Sequence, residues 1–109
     1  MPEWTAYCED NRKYALNRIR NMALSRQYRK ELSLWINNYL DPFYIYRAIA
    51  ERKKDFQDPF DIVRNEAEKD LEYTLLSATT RDRSNSDVIM FESNLLLLFN
   101  MMLSQMRTT

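Results

Sequence analysis

Apolar residues along this chain return at three- and four-residue steps, the period of an α-helix. Over residues 3–24, Trp4, Cys8, Ala15, Ile19 and Met22 share one side of a helical wheel, with Tyr7 and Ala23 beside them. Lys13 and Arg20 point away, and Arg12 and Arg18 fall on the flanks. Residues 26–40 repeat the pattern with Tyr28, Leu32, Trp35, Ile36, Tyr39 and Leu40. Ser25 supplies a capping side chain between the two stretches, which favours a break there. No strong breaker stands nearby, so a single helix over 3–40 is the alternative.

Two short motifs punctuate the middle of the chain: Asp41-Pro42-Phe43 and Asp58-Pro59-Phe60. In each, an Asp oxygen is placed to accept a free amide at a helix start, and Pro at the first helical position gives up an amide that has no partner there. They predict helices over 42–55 and 59–79, with Phe43 and Phe60 buried in the first turns. The second helix carries a stripe of Phe60, Val63, Ala67, Leu71, Leu75 and Ala78 against a face rich in Glu and Asp. Residues 79–86, Thr-Thr-Arg-Asp-Arg-Ser-Asn-Ser, have the composition of a loop.

The last predicted helix, 87–107, is apolar on two sides. Val88, Phe91, Leu95, Leu98, Phe99, Met102 and Met106 fill a wide face, and Met90, Leu97 and Met101 form a narrower second stripe. A helix of this kind is either covered all round in the middle of a fold or lends one stripe to a partner. Its polar residues Glu92, Asn94, Asn100, Ser104 and Gln105 interrupt the run of about 20 apolar residues that a membrane span requires, so no span is expected.

Composition narrows the chemistry. The 109 residues include no Gly and no His, and Cys8 is the single cysteine. Phosphate-cradling glycine loops, imidazole-based catalysis, imidazole zinc sites and an internal disulfide are all excluded. The start of the chain lacks a signal-peptide pattern, so a cytoplasmic or nuclear setting is expected. Sixteen Lys and Arg balance sixteen Asp and Glu.

That balance is uneven along the chain. Arg12, Lys13, Arg18, Arg20, Arg26, Arg29 and Lys30 follow one another with no acidic residue among them and with Tyr14 and Tyr28 interleaved. They form a candidate phosphate-binding surface. The plainer reading is a solvated face paired with the acidic fourth helix. The Asp-Pro-Phe triplets resemble the short motif by which endocytic accessory proteins engage adaptor appendage domains, although helix capping accounts for both copies. Glu66 with Asp70 and Glu68 with Glu72 stand one turn apart, a spacing that suits a divalent cation but equally an exposed helix face. Arg81-Asp82-Arg83-Ser84 is a candidate phosphorylation segment.

The expected fold is therefore all-α: one domain over 1–109, a compact bundle of four to five helices with the C-terminal helix central. The expected function is that of a small non-enzymatic adaptor or assembly protein, with no cofactor and no small-molecule substrate. It would bind a protein partner and associate with itself through Met90, Leu97 and Met101, with Trp4, Trp35 or Tyr39 as exposed aromatic anchors. The alternative is a nucleic-acid-binding accessory protein using the basic segment 12–30.

Overall fold

Side-chain caps set most of the corners of this chain. The computed structural model describes residues 3–53 and 56–108, with side chains from Thr5 onward, and among them it contains six helices and no strand. They are α1 (Glu3–Arg20), α2 (Arg26–Tyr39), α3 (Pro42–Glu51), α4 (Pro59–Leu75), α5 (Thr80–Arg83) and α6 (Ser86–Arg107). Asp41 and Asp58 accept the amides of Phe43 and Phe60 at 2.9 Å, so both Asp-Pro starts form as expected. Asn85 does the same for α6, accepting from the Asp87 amide at 3.0 Å.

The break at Ser25 is real, but its chemistry differs from a conventional cap. Ser25 occupies the N-cap position of α2 without bonding that helix's amides. Its own amide and hydroxyl instead donate to the carboxylate of Asp82. Beyond the end of α1, Arg29 reaches back: its guanidinium donates to the carbonyls of Ile19 and Arg20 in the last turn and of Met22 and Leu24 in the connection that follows.

The expected loop 79–86 contains a helical turn. Thr79 accepts the Asp82 amide at 3.1 Å while the Asp82 carboxylate accepts the Thr79 amide at 2.9 Å, a reciprocal capping box that folds α5. As a result α4 ends at Leu75 and not near residue 79, its last carbonyl groups taken up by tight turns and by the Ser77 hydroxyl. The predicted third helix is shorter as well, ending at Glu51; Lys54 and Asp55 lie outside the described residues.

α1 packs on α2 and α6, α2 lies against α4, and α3 lies across α1, α2 and α4. α6 touches α1, α4 and α5, and meets α2 through side chains, since Trp35 and Tyr39 both pack edge-on to Phe99. The expectation that α6 is central is corrected: α2 and α4 hold the middle of the bundle, and α6 packs along its side on α1, α4 and α5. In its burial it is one-sided: Val88, Phe91, Leu95, Phe99, Met102 and Leu103 are enclosed, and the opposite stripe is not. At roughly 1.5–3 kcal/mol for each large apolar side chain removed from water, the shared core of Tyr28, Leu32, Trp35, Ile36, Phe91, Leu95 and Phe99 dominates the stability.

Two expected features of this core are corrected. Trp35 and Tyr39 are not exposed anchors; they are buried, at 3% and 5% exposure. Their polar tips are satisfied inside the fold, the indole donating to the Ala67 carbonyl at 3.0 Å and the phenol of Tyr39 donating to Asp70. Phe43, expected in the core, is 67% exposed, because Pro42 and Ile45 take the inward positions of the first turn of α3. Phe60 is half-buried under the guanidinium of Arg107, 4.5 Å above its ring.

The chain turns all these corners without help from left-handed backbone. Among the described residues none has a positive φ and no peptide bond is cis.

Candidate interaction surfaces

α6 exposes the stripe that its sequence pattern sets apart. Met90, Leu97 and Met101 all face solvent, with exposures of 64%, 57% and 45%. Ser86, Ser93, Asn94 and Ser104 share this side and are exposed too. α6 carries three charged residues: Asp87 in its first turn, Arg107 in its last, and Glu92. Glu92 faces the bundle and accepts the phenol of Tyr28, so no charge interrupts the outer stripe between the two ends. Burial and then this bond to a carboxylate push the Tyr28 hydroxyl far above its ordinary range, keeping it a donor.

Beside the stripe a shallow groove runs between α6 and α1, lined by Asn11, Tyr14, Asn94, Leu97 and Leu98. Tyr14 is half-exposed at its rim, and the buried amide nitrogen of Asn11 has no hydrogen-bond partner. Trp4, the remaining aromatic anchor expected from the sequence, has a side chain outside the described residues. α6 is also the one helix among the described residues that is long and apolar enough to cross a membrane by length and composition.

Not all seven cations of the basic segment are available to a ligand. Arg29 is spent on the carbonyls that close α1, so it is corrected from a candidate ligand-binding residue to a structural one. Arg12 pairs with Glu9 one turn earlier. Lys13, Arg18, Arg20, Arg26 and Lys30 are exposed, and among the described residues none of them forms an ion pair. The expected pairing with acidic α4 is absent among these residues. Three of the five α4 acids are engaged elsewhere: Glu66 receives a two-pronged contact from Arg52 at 2.9 and 3.0 Å, Asp61 pairs with Arg64, and Asp70 accepts Tyr39.

What sequence reading could not find is the contribution of α5. Asp82 is 1% exposed and binds Ser25 through both carboxylate oxygens, at 2.9 and 2.6 Å. Burial works against its charge, but the donors from Ser25 and Thr79 outweigh it and hold the carboxyl down at about 2. This contact carries Arg81 and Arg83, both exposed, to the α1–α2 junction. A groove lined by Ala23, Leu24, Ser25, Thr79, Arg81 and Asp82 marks the seam.

The other candidates resolve into structure. Glu66 and Asp70 are already bonded to protein groups, and among the described residues no three His, Cys, Asp or Glu side chains come together. In the Asp-Pro-Phe motifs the aspartates are occupied in capping and Pro42 is buried, so neither triplet is displayed as an extended peptide. Cys8 is buried and its thiol is pushed up to about 12, by burial first and then by the charges of Glu9 and Asp41, leaving it unreactive at neutral pH.

Comparison with protein-family models, with curated proteins and with solved structures finds no match to this chain.

Proposed function

We propose that the protein is a small, non-enzymatic binding and assembly module that works by self-association through the outer face of α6. One observation carries the proposal: the exposed stripe of Met90, Leu97 and Met101, uninterrupted by charge on a protein in which 29% of residues are charged. Interface centres are poor in charge and rich in Met and large apolar groups. Flanking Ser93 and Ser104 are small enough to let a second helix approach closely.

The occupant that fits is a second copy of the same helix running antiparallel. Laid against its own copy in reverse, the stripe brings Met90 opposite Met101 and Asn94 opposite Leu97, since both pairs of positions share one midpoint. In this arrangement the two helix dipoles oppose, while Arg107 stays turned onto Phe60 and Asp58 of its own chain.

Size exclusion with multi-angle light scattering tests the reading. A dimer is expected, with Leu97→Asp shifting it to monomer while the far-ultraviolet helical signal is kept. A wild-type chain that is monomeric at every concentration up to about that of strong association, in the micromolar range, would overturn it.

A further inference from the structure

The α5 end of the bundle gathers cations from three separated stretches of sequence. Arg18 and Arg20 stand in the last turn of α1, Arg26 and Lys30 in the first turns of α2, and Arg81 and Arg83 on either side of Asp82 in α5. The Ser25–Asp82 contact joins the last two groups, and the reach of Arg29 from α2 to the Ile19 and Arg20 carbonyls joins the first two. All six side chains are exposed, and none forms an ion pair among the described residues.

Two sources of local negative charge are neutralised by the fold itself, while Glu31 of α2 and Asp87 at the start of α6 remain at the margin of this end. The partial negative charge at the C-terminal end of α1 is covered by the Arg29 guanidinium. The Asp82 carboxylate is buried and turned onto Ser25 and Thr79. The first turn of α2, where a helix has its positive end, contains no acidic residue. The neutral total of the chain therefore conceals a positive end, offset chiefly by the acids of α4 and of the first half of α1.

We infer that this end binds the phosphate backbone of nucleic acid, without reading base sequence, through Arg18, Arg20, Arg26, Lys30, Arg81 and Arg83. The cations are spread over three elements instead of converging on one pocket, which suits a repeating anion better than a single small one. Five of the six are arginines, whose forked donors match phosphate oxygens. This surface uses residues other than the α6 stripe, so it stands or falls independently of self-association.

Fluorescence anisotropy with a labelled mixed-sequence DNA duplex and the matching single strand tests it on the full chain. At about 50 mM salt binding is expected, with log K falling linearly against log salt, by roughly 0.9 for each phosphate engaged on the duplex. Arg81→Glu with Arg83→Glu should weaken binding by about tenfold or more and flatten that slope by roughly 2. Arg47→Glu with Lys53→Glu, an equal charge change on and beyond α3, should leave most of the affinity in place. Circular dichroism of each variant establishes that it is folded before its affinity is compared. No binding at low salt overturns the inference, as does equal weakening by the two double variants. If poly-glutamate of matched charge competes as well as DNA, the surface recognises acidic polymers generally and the nucleic-acid assignment fails.

Discussion

Asp82 holds Ser25 by both its amide and its hydroxyl, across 57 residues of sequence. Among the described residues, these are the side-chain hydrogen bonds that fix α5 to the junction of the first two helices. Asp82→Ala removes a charged acceptor and leaves the Ser25 and Thr79 donors without it, at an expected cost of about 3 kcal/mol in urea unfolding. Asp82→Asn keeps the shape and should lose less. If the alanine variant unfolds with the wild-type midpoint, the contact is not holding the fold.

The same carboxylate sets an acid limit. Its folded-state value, about 2, lies below the ordinary carboxylate range, so the folded protein holds it charged where the unfolded chain would take up a proton. The contribution is complete above about pH 4 and is lost as pH falls through the folded value near 2. Denaturant midpoints measured between pH 5 and pH 2 should fall for the wild type, and less steeply for Asp82→Asn.

Arg29 closes α1 with a geometry that a point charge cannot copy. Its guanidinium nitrogens serve four carbonyls, among them Ile19 and Met22. Arg29→Lys should therefore destabilise almost as much as Arg29→Met, by about 1.5–3 kcal/mol in thermal or urea unfolding. Full stability in the lysine variant would show that charge alone suffices.

The paired Asp-Pro-Phe starts are expected to respond differently to the same change. Phe43→Ser removes an exposed ring and should alter stability by less than about 0.5 kcal/mol, whereas Asp41→Ala should cost about 1 kcal/mol through the lost cap. Phe60→Ser should lower the melting temperature visibly, because that ring carries Arg107 and packs on the core.

Trp35 and Phe99 form the joint between α2 and α6, with ring centroids 6.1 Å apart. Phe99→Ala should cost about 3–5 kcal/mol, and Trp35→Phe considerably less, the loss being chiefly the indole bond to Ala67. Equilibrium unfolding of the two variants checks the order; a Trp35→Phe midpoint equal to that of the wild type would show that the indole bond to Ala67 does not hold this joint.

Helix positions were legible wherever a short-range rule decides them. The Asp-Pro starts, the helical period and the second stripe of α6 all depend on residues within a turn or two of one another. Thr79 and Asp82 carried the Thr-x-x-Asp spacing of a capping box as well, but the polar run around them hides it in a loop composition. Burial was harder to read. A wheel puts Trp35 and Tyr39 on the apolar side of α2 without saying whether this chain or another covers that side, and Ala67, Asp70 and Phe99 are the groups that do. Phe43 shows the converse: helix capping specifies the turn around it but not which of Pro42, Phe43 and Ile45 points inward. Arg29 and Asp82 act through contacts to remote backbone, for which local spacing carries no signal.

A chain whose described corners all keep φ negative has a consequence in the unfolded state. Glycine is the residue that gives up most conformational freedom on folding, and this chain contains none to give up. Its denatured ensemble is narrower than that of a typical chain of equal length, so less entropy opposes folding. Converting a corner residue such as Ser84 to glycine would broaden that ensemble while leaving every native contact of the core untouched.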